Sequence, residues 1–134
     1  LGGTIFPMTR VFKTRHFQRW MRKTELTDAV LCKAVQEMAA GLIDADLGGS
    51  VVKKRVGLAG RGKRGGVRTL VATNKGNRWF FVFGFEKNER ANVSDEELEG
   101  LQTIAADLLA PMGLEPLQAG GSASKQPAAD APTR

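Results

Sequence analysis

The chain has 134 residues, 42% hydrophobic and 25% charged, which fits one globular domain with a single modest core. No apolar run approaches the roughly 18 residues of a membrane span, and a single cysteine, Cys32, excludes an intramolecular disulfide or a cysteine-based zinc site. The net charge of +6 is uneven: residues 1–93 hold 18 Lys/Arg against 7 Asp/Glu and residues 94–134 hold 2 against 7, so the body of the chain suits a polyanionic partner, nucleic acid first.

In chain order, LGGTIFP is too short and uncharged for a signal peptide, and Met8 reads as a candidate start that makes residues 1–7 an extension. TRVFKT (Thr9–Thr14) alternates apolar and polar residues and predicts a first strand. HFQRWMRK (His16–Lys23) places Phe17, Trp20 and Met21 at helical spacing, with His16 near the surface at the helix start. A second helix is expected from Asp28 to Ala40, capped by Thr27, striped by Val30, Leu31, Ala34, Val35 and Met38, and ended by Gly41. Cys32 falls in that stripe and reads as a small core residue.

LIDADLGGS then reads as a polar loop, SVVKKRV (Ser50–Val56) and GVRTLVAT (Gly66–Thr73) as strands, and NKGN as a turn. RWFFVFGF (Arg78–Phe85) is apolar on both faces, the mark of a central strand covered on both sides. Ser94-Asp-Glu-Glu97 is a capping box leading into a helix with Leu98, Leu101, Ile104, Ala105 and Leu108 as its stripe. Pro111 stops it, and the small, polar, Pro/Ala-rich sequence that ends the chain predicts a flexible tail over residues 113–134. The resulting expectation is an α+β domain over residues 8–112 in the order β-α-α-β-β-β-α, with a small, mainly antiparallel four-stranded sheet and helices packed on it.

The stretch Gly57 to Thr73 imitates a nucleotide-binding P-loop: Gly57 and Gly62-Lys63 have the right spacing. Arg64 stands where that motif needs a hydroxyl, and a β-branched strand follows where it needs a helix to hold phosphate. What remains is cationic. From Ser50 to Arg68 there are seven basic residues and no acidic one, with glycines at 57, 60, 62, 65 and 66. The bland reading is a hairpin kept soluble by charge; the other is that an anion sits there. No carboxylate or histidine cluster has ligand spacing, so neither a metal nor any other cofactor is expected.

G-x-G-K-x-G-G-x-R from Gly60 to Arg68, FVFGFEKNERANVSDEEL from Phe81 to Leu98 and the order of elements together resemble RelE/HigB-type toxins of bacterial toxin–antitoxin pairs. The resemblance spans about residues 10–110. It implies a cytoplasmic endoribonuclease that cleaves mRNA on the ribosome by attack of a 2′-hydroxyl on the adjacent phosphate, held inactive by an antitoxin that often carries a helix-turn-helix. Lys and Arg do the work of histidines in such enzymes, which suits a chain whose only histidine is His16. Carried over by position, Arg68 matches the strand arginine that contacts the scissile phosphate. Lys53 and Arg55 match the basic pair of the preceding strand, and Lys87 the basic residue after the central strand. Lys54, Arg61, Lys63, Arg64, Asn88 and Arg90 are the further candidates for RNA contacts. The chain departs from the pattern at one point: relatives carry a Tyr near the start of the last helix that stacks on the nucleotide, and this chain has no Tyr. Ser94 stands near that position and its capping role accounts for it. Either stacking falls to Trp79, which reads as core, or to another side chain, or the cleavage mechanism differs, or the activity is weak. A gyrase inhibitor of the ParE type, which shares the fold, and a non-catalytic RNA- or ribosome-binding module are the competing readings.

Overall fold

The computed structural model describes residues 9–58, 62–110 and the pair 126–127, with backbone alone for 62–64 and 126–127. Its elements are β1 (Arg10–Lys13), α1 (Arg15–Met21), α2 (Asp28–Ala39), β2 (Ala45–Gly48), β3 (Val51–Leu58), β4 (Gly62–Thr73), β5 (Arg78–Glu86), α3 (Asp95–Leu108) and the two-residue β6 (Gln126–Pro127). The sheet order is β2-β3-β4-β5-β1-β6, antiparallel except where β1 runs parallel to β5. The α+β class and the succession of elements are as expected. The strand count is not.

Two strands are extra: β6, a two-residue pairing with β1 inside the expected tail, and β2, inside LIDADLGGS, the segment expected to be loop. β2 is four residues long and turns straight back into β3 through Gly48, Gly49 and Ser50, all at positive φ (85°, 60° and 66°). So short a strand has no alternation to read, and its glycines point to a turn. Gln102 of α3 ties this hairpin down, donating its amide N–H to the carbonyls of Leu47 and Gly48 at 3.2 and 3.1 Å. The Gly-rich stretch changes in the same direction. β4 starts at Gly62 rather than Gly66, and Gly62 is already in register with Leu58. Lys63 therefore sits in an extended strand and not at a helix N-terminus, which removes the P-loop reading. Gly66 shows why that hairpin is rich in glycine: a Cβ there would overlap the carbonyl oxygen of Val56. Gly66→Ala is expected to destabilise the fold by more than about 2 kcal/mol in urea denaturation, because a backbone atom on the partner strand cannot step aside.

The helices cover both sides of the sheet. On one face Phe17 and Met21 of α1 and Leu31, Ala34, Val35 and Met38 of α2 pack on Val52, Val56, Val67, Val71, Trp79 and Phe81. On the other, Leu101, Ala105 and Leu108 of α3 pack on Val51, Leu70, Ala72, Phe80 and Val82. β5 is thus buried on both sides, as its unbroken apolar run predicts, and Trp79 is fully enclosed with its indole N–H donating to the Gly76 carbonyl at 2.9 Å. Two caps are where the sequence places them, Thr27 on α2 and the Ser94–Glu97 box on α3, while the cap of α1 is Thr14, expected to be strand. Two stripe residues differ. Ile104 is exposed, since α3 turns only Leu101, Ala105 and Leu108 inward, and Cys32 is half-buried at the margin of the α2 core. The expected extension over 1–7, Arg61, and the expected tail over 113–134, apart from β6, lie outside the described residues.

Candidate RNA-cleaving site

The alternation of side chains along β3 divides its three consecutive cations. Val51, Lys53 and Arg55 point to the α3 side, while Val52, Lys54 and Val56 point to the α1–α2 side. Register then assembles the site. Arg55 of β3 is opposite Arg68 of β4, and Arg68 is opposite Phe85 of β5. One row along, Lys53 is opposite Leu70, and Leu70 is opposite Phe83. Directly opposed residues share a face, and diagonal neighbours are about 7–8 Å apart, so Lys53 is diagonal to Arg68. The apolar side chains of α3 sit over Val51, Leu70, Ala72 and Phe80. The Arg55–Arg68–Phe85 row lies beyond this helix core, toward the Gly-rich hairpin.

Arg68 is the notable member. Its side chain is only 8% exposed, yet its Nη1 is buried without a hydrogen-bond partner. A buried guanidinium with an unsatisfied donor is costly on its own, and an anion beside it relieves that cost. Arg55 is half-exposed, its Nε 3.8 Å from Asp44, which also accepts from the Arg55 backbone N–H at 2.6 Å. Lys53 is partly exposed. The run of cations without a carboxylate is thus a property of the linear stretch only, because folding brings Asp44 and Glu37 against it.

Lys54, expected among the RNA contacts, is not on this face. It is 2% exposed, paired with Glu37 at 2.8 Å and donating to the Leu42 carbonyl at 3.0 Å. The period of two along a strand sends every second residue to the opposite side, and here that side is the helix core. Lys87 and Asn88 are exposed on the turn after β5. Arg90 folds back from that turn: its guanidinium carbon lies 5.6 Å from the centre of the Phe83 ring and 5.9 Å from that of Phe85, and Nη1 pairs with Glu97 at 2.6 Å. Lys63 and Arg64 lie on the backbone of β4 near Arg68, and Arg61 lies outside the described residues.

Glu97 joins the loop to α3 because it accepts from both Arg90 and the Ser94 backbone N–H, at 2.6 and 2.8 Å. The bond from Arg90, followed by that from Ser94, holds its carboxyl down from 4.5 to about 2. A depressed carboxyl contributes stability that is fully present above its unfolded value and lost as pH falls through the folded one. The melting-temperature advantage of the wild-type chain over Glu97→Gln is therefore expected to be constant above pH 5 and to shrink between pH 4.5 and about 2. An advantage that stays constant down to pH 2 would count against this bridge.

One aromatic pair beside this face has no mark as a pair in the linear pattern. His16, the second residue of α1, stacks on Phe83 with ring centres 5.5 Å apart and planes 7° from parallel. β1 flanks β5 only as far as Phe81, and α1 begins beside the part of β5 left free. Helix position alone marks His16 and hydropathy alone marks Phe83; the signal that links Phe83 to the site is its place two residues before Phe85, on the same face of β5.

Among the described residues no group of three or more His, Cys, Asp or Glu could hold a metal ion, and no helix is long and apolar enough to cross a membrane. No curated protein matches the chain. The sequence pattern described as the RelE toxin of the RelE / RelB toxin–antitoxin system matches residues 9–120, most of the chain and every element from β1 to α3, so this protein belongs to the RelE toxin family.

Proposed function

We propose that this toxin is an endoribonuclease of the HigB-like branch that cleaves mRNA on the ribosome, with the Lys53–Arg55–Arg68 face as its centre. The single observation that carries the reading is the buried, unpartnered Nη1 of Arg68 in the middle of a cationic face. In this reading the scissile phosphate docks on Arg68. The 2′-oxygen attacks phosphorus and gives its proton to Lys53, which enters the step as the neutral amine and leaves it as the ammonium. Arg68 and Arg55 stabilise the added negative charge of the pentacoordinate phosphorane without changing protonation. The bond to the 5′-oxygen then breaks, leaving a 2′,3′-cyclic phosphate on one fragment and a 5′-hydroxyl on the other. Lys87, on the turn after β5, returns a proton to that leaving oxygen. An antitoxin of the helix-turn-helix type would silence the site.

Primer extension on mRNA after induction in bacteria is the test. New 5′ ends, accompanied by growth arrest and loss of translation, are the expected result. Arrest with DNA damage and intact mRNA would replace this reading with gyrase inhibition. Loss of translation without new ends would replace it with binding alone.

A further inference from the structure

The aromatic side chains can be sorted by what a nucleobase could reach. Trp79, Phe17 and Phe81 are fully buried, and Phe80 and Phe85 nearly so. Phe12, partly exposed and stacked on Phe80 at 4.8 Å between centres, is set apart by its place on the far side of the α3 core from Arg68. Trp20 is packed against the core and fills the space over Gly84. Among the described residues that leaves Phe83, partly exposed, and His16, exposed and stacked on it. The pair lies beside the Arg55–Arg68–Phe85 row, and the Arg90 guanidinium is also within 5.6 Å of the Phe83 ring centre.

Beyond His16 the surface of α1 is cationic. Successive helical residues are about 100° apart, so Arg15, Gln18, Arg19 and Arg22, at i, i+3, i+4 and i+7, form one row whose edge adjoins His16. The four line a common groove. Within it the Gln18 Oε1 is buried without a hydrogen-bond partner. α1 contains no acidic residue, and among the described residues none of the three guanidinium groups is in an ion pair. A base platform followed by a line of arginines is the arrangement that single-stranded nucleic acid uses: stacking for the bases, cations for the backbone.

We propose that the RNA-binding site continues from Arg68 over the His16–Phe83 stack and onto the arginine row of α1. The stack holds one nucleobase, and Arg15, Arg19 and Arg22 hold the phosphates beyond it. This extension rests on the ribonuclease reading for the position of the cleaved bond, but it is a statement about binding and is tested as one.

The probe is a fluorescent ten-nucleotide RNA with 2′-O-methyl groups throughout, which cannot be cleaved, titrated with the purified full chain across a salt series. Neutralising the row in Arg15→Gln/Arg19→Gln/Arg22→Gln is expected to flatten the slope of log affinity against log salt by about 2, at roughly 0.7 per lost phosphate contact on a single strand. Lys75→Gln, at the opposite end of β4 from Arg68, should leave it unchanged. His16→Ala is expected to weaken binding about fivefold to a hundredfold, the range of one base–aromatic stack. His16→Phe should restore it, and an abasic version of the probe should bind both variants alike. An unchanged slope in the triple variant overturns the row, as it would if the row served an acidic protein segment. Equal losses for His16→Ala on the normal and abasic probes overturn the platform. A wild-type chain that yields no new mRNA ends yet shows both effects sinks the ribonuclease reading and leaves the extended site standing. A chain that does not bind the probe overturns the extended site.

Discussion

Arg68→Ala is expected to abolish growth arrest on induction while the purified variant keeps, or slightly raises, its melting temperature. The two halves of that result rest on the same atom. Nη1 of Arg68 is buried with no partner, so in the resting fold the guanidinium adds a desolvation cost that no hydrogen bond at that nitrogen offsets. Removing it gives up little that stabilises the fold. In the proposed reaction the same group meets a phosphate whose negative charge grows toward the transition state, where a fixed donor counts most. Loss of one such donor typically lowers the rate about a hundredfold to a thousandfold. Arg68→Lys keeps the charge but not the planar fork, and should recover only part of the activity. The measurements are plating efficiency after induction, primer extension on a reporter mRNA, and a thermal melt of the purified chain. A variant that melts well below wild type would show that Arg68 holds the fold together. A stable variant that is still fully toxic would remove Arg68 from the centre of the site.

The frame of this fold was legible because long elements carry redundant signals. α2 has a cap, a stripe and a terminating glycine, α3 has a capping box, and β5 is apolar over its whole length. Each agrees with the structure at or close to its expected ends. β2 was not legible, since four residues containing a glycine hold too little pattern and depend on pairing with β3 and on Gln102 for their conformation. The start of β4 was missed for a related reason. Glycines there allow a close strand approach at Gly66 rather than a loop, and nothing in a one-dimensional reading separates those two uses.

The candidate site was legible as a set of residue types more than as geometry. Alternation put Lys53 and Arg55 together, and register supplied the pairing with Arg68. The arrival of Asp44 beside Arg55 and of Arg90 over two phenylalanines depended on loops whose course no periodicity encodes. The missing Tyr posed a question that burial narrows. Trp79 is enclosed, so any stacking role must pass to side chains such as His16 and Phe83 that reach the surface.

Lys54 gives the contrasting expectation, a basic residue in the same run whose loss harms the fold and not the chemistry. Its ammonium is buried, 2.8 Å from Glu37 and 3.0 Å from the Leu42 carbonyl, and it connects β3 to the end of α2 and the segment after it. Lys54→Met keeps most of the aliphatic volume but leaves the Glu37 carboxylate facing the core without this partner. Breaking a buried pair from one side costs about 3–5 kcal/mol, and the partial exposure of Glu37 places this case toward or below the lower end. Adding Glu37→Gln should recover part of the loss, because a neutral amide is less costly there than a carboxylate short of its cation. Urea denaturation of the two single variants and the double variant measures that coupling. Toxicity of Lys54→Met should fall only as far as folded protein is lost, and the affinity of the folded fraction for RNA should match wild type. If Lys54→Met instead kept its stability and lost RNA binding, Lys54 would have to leave its buried position to act. The division of β3 into a structural face and a functional face would then fail with it.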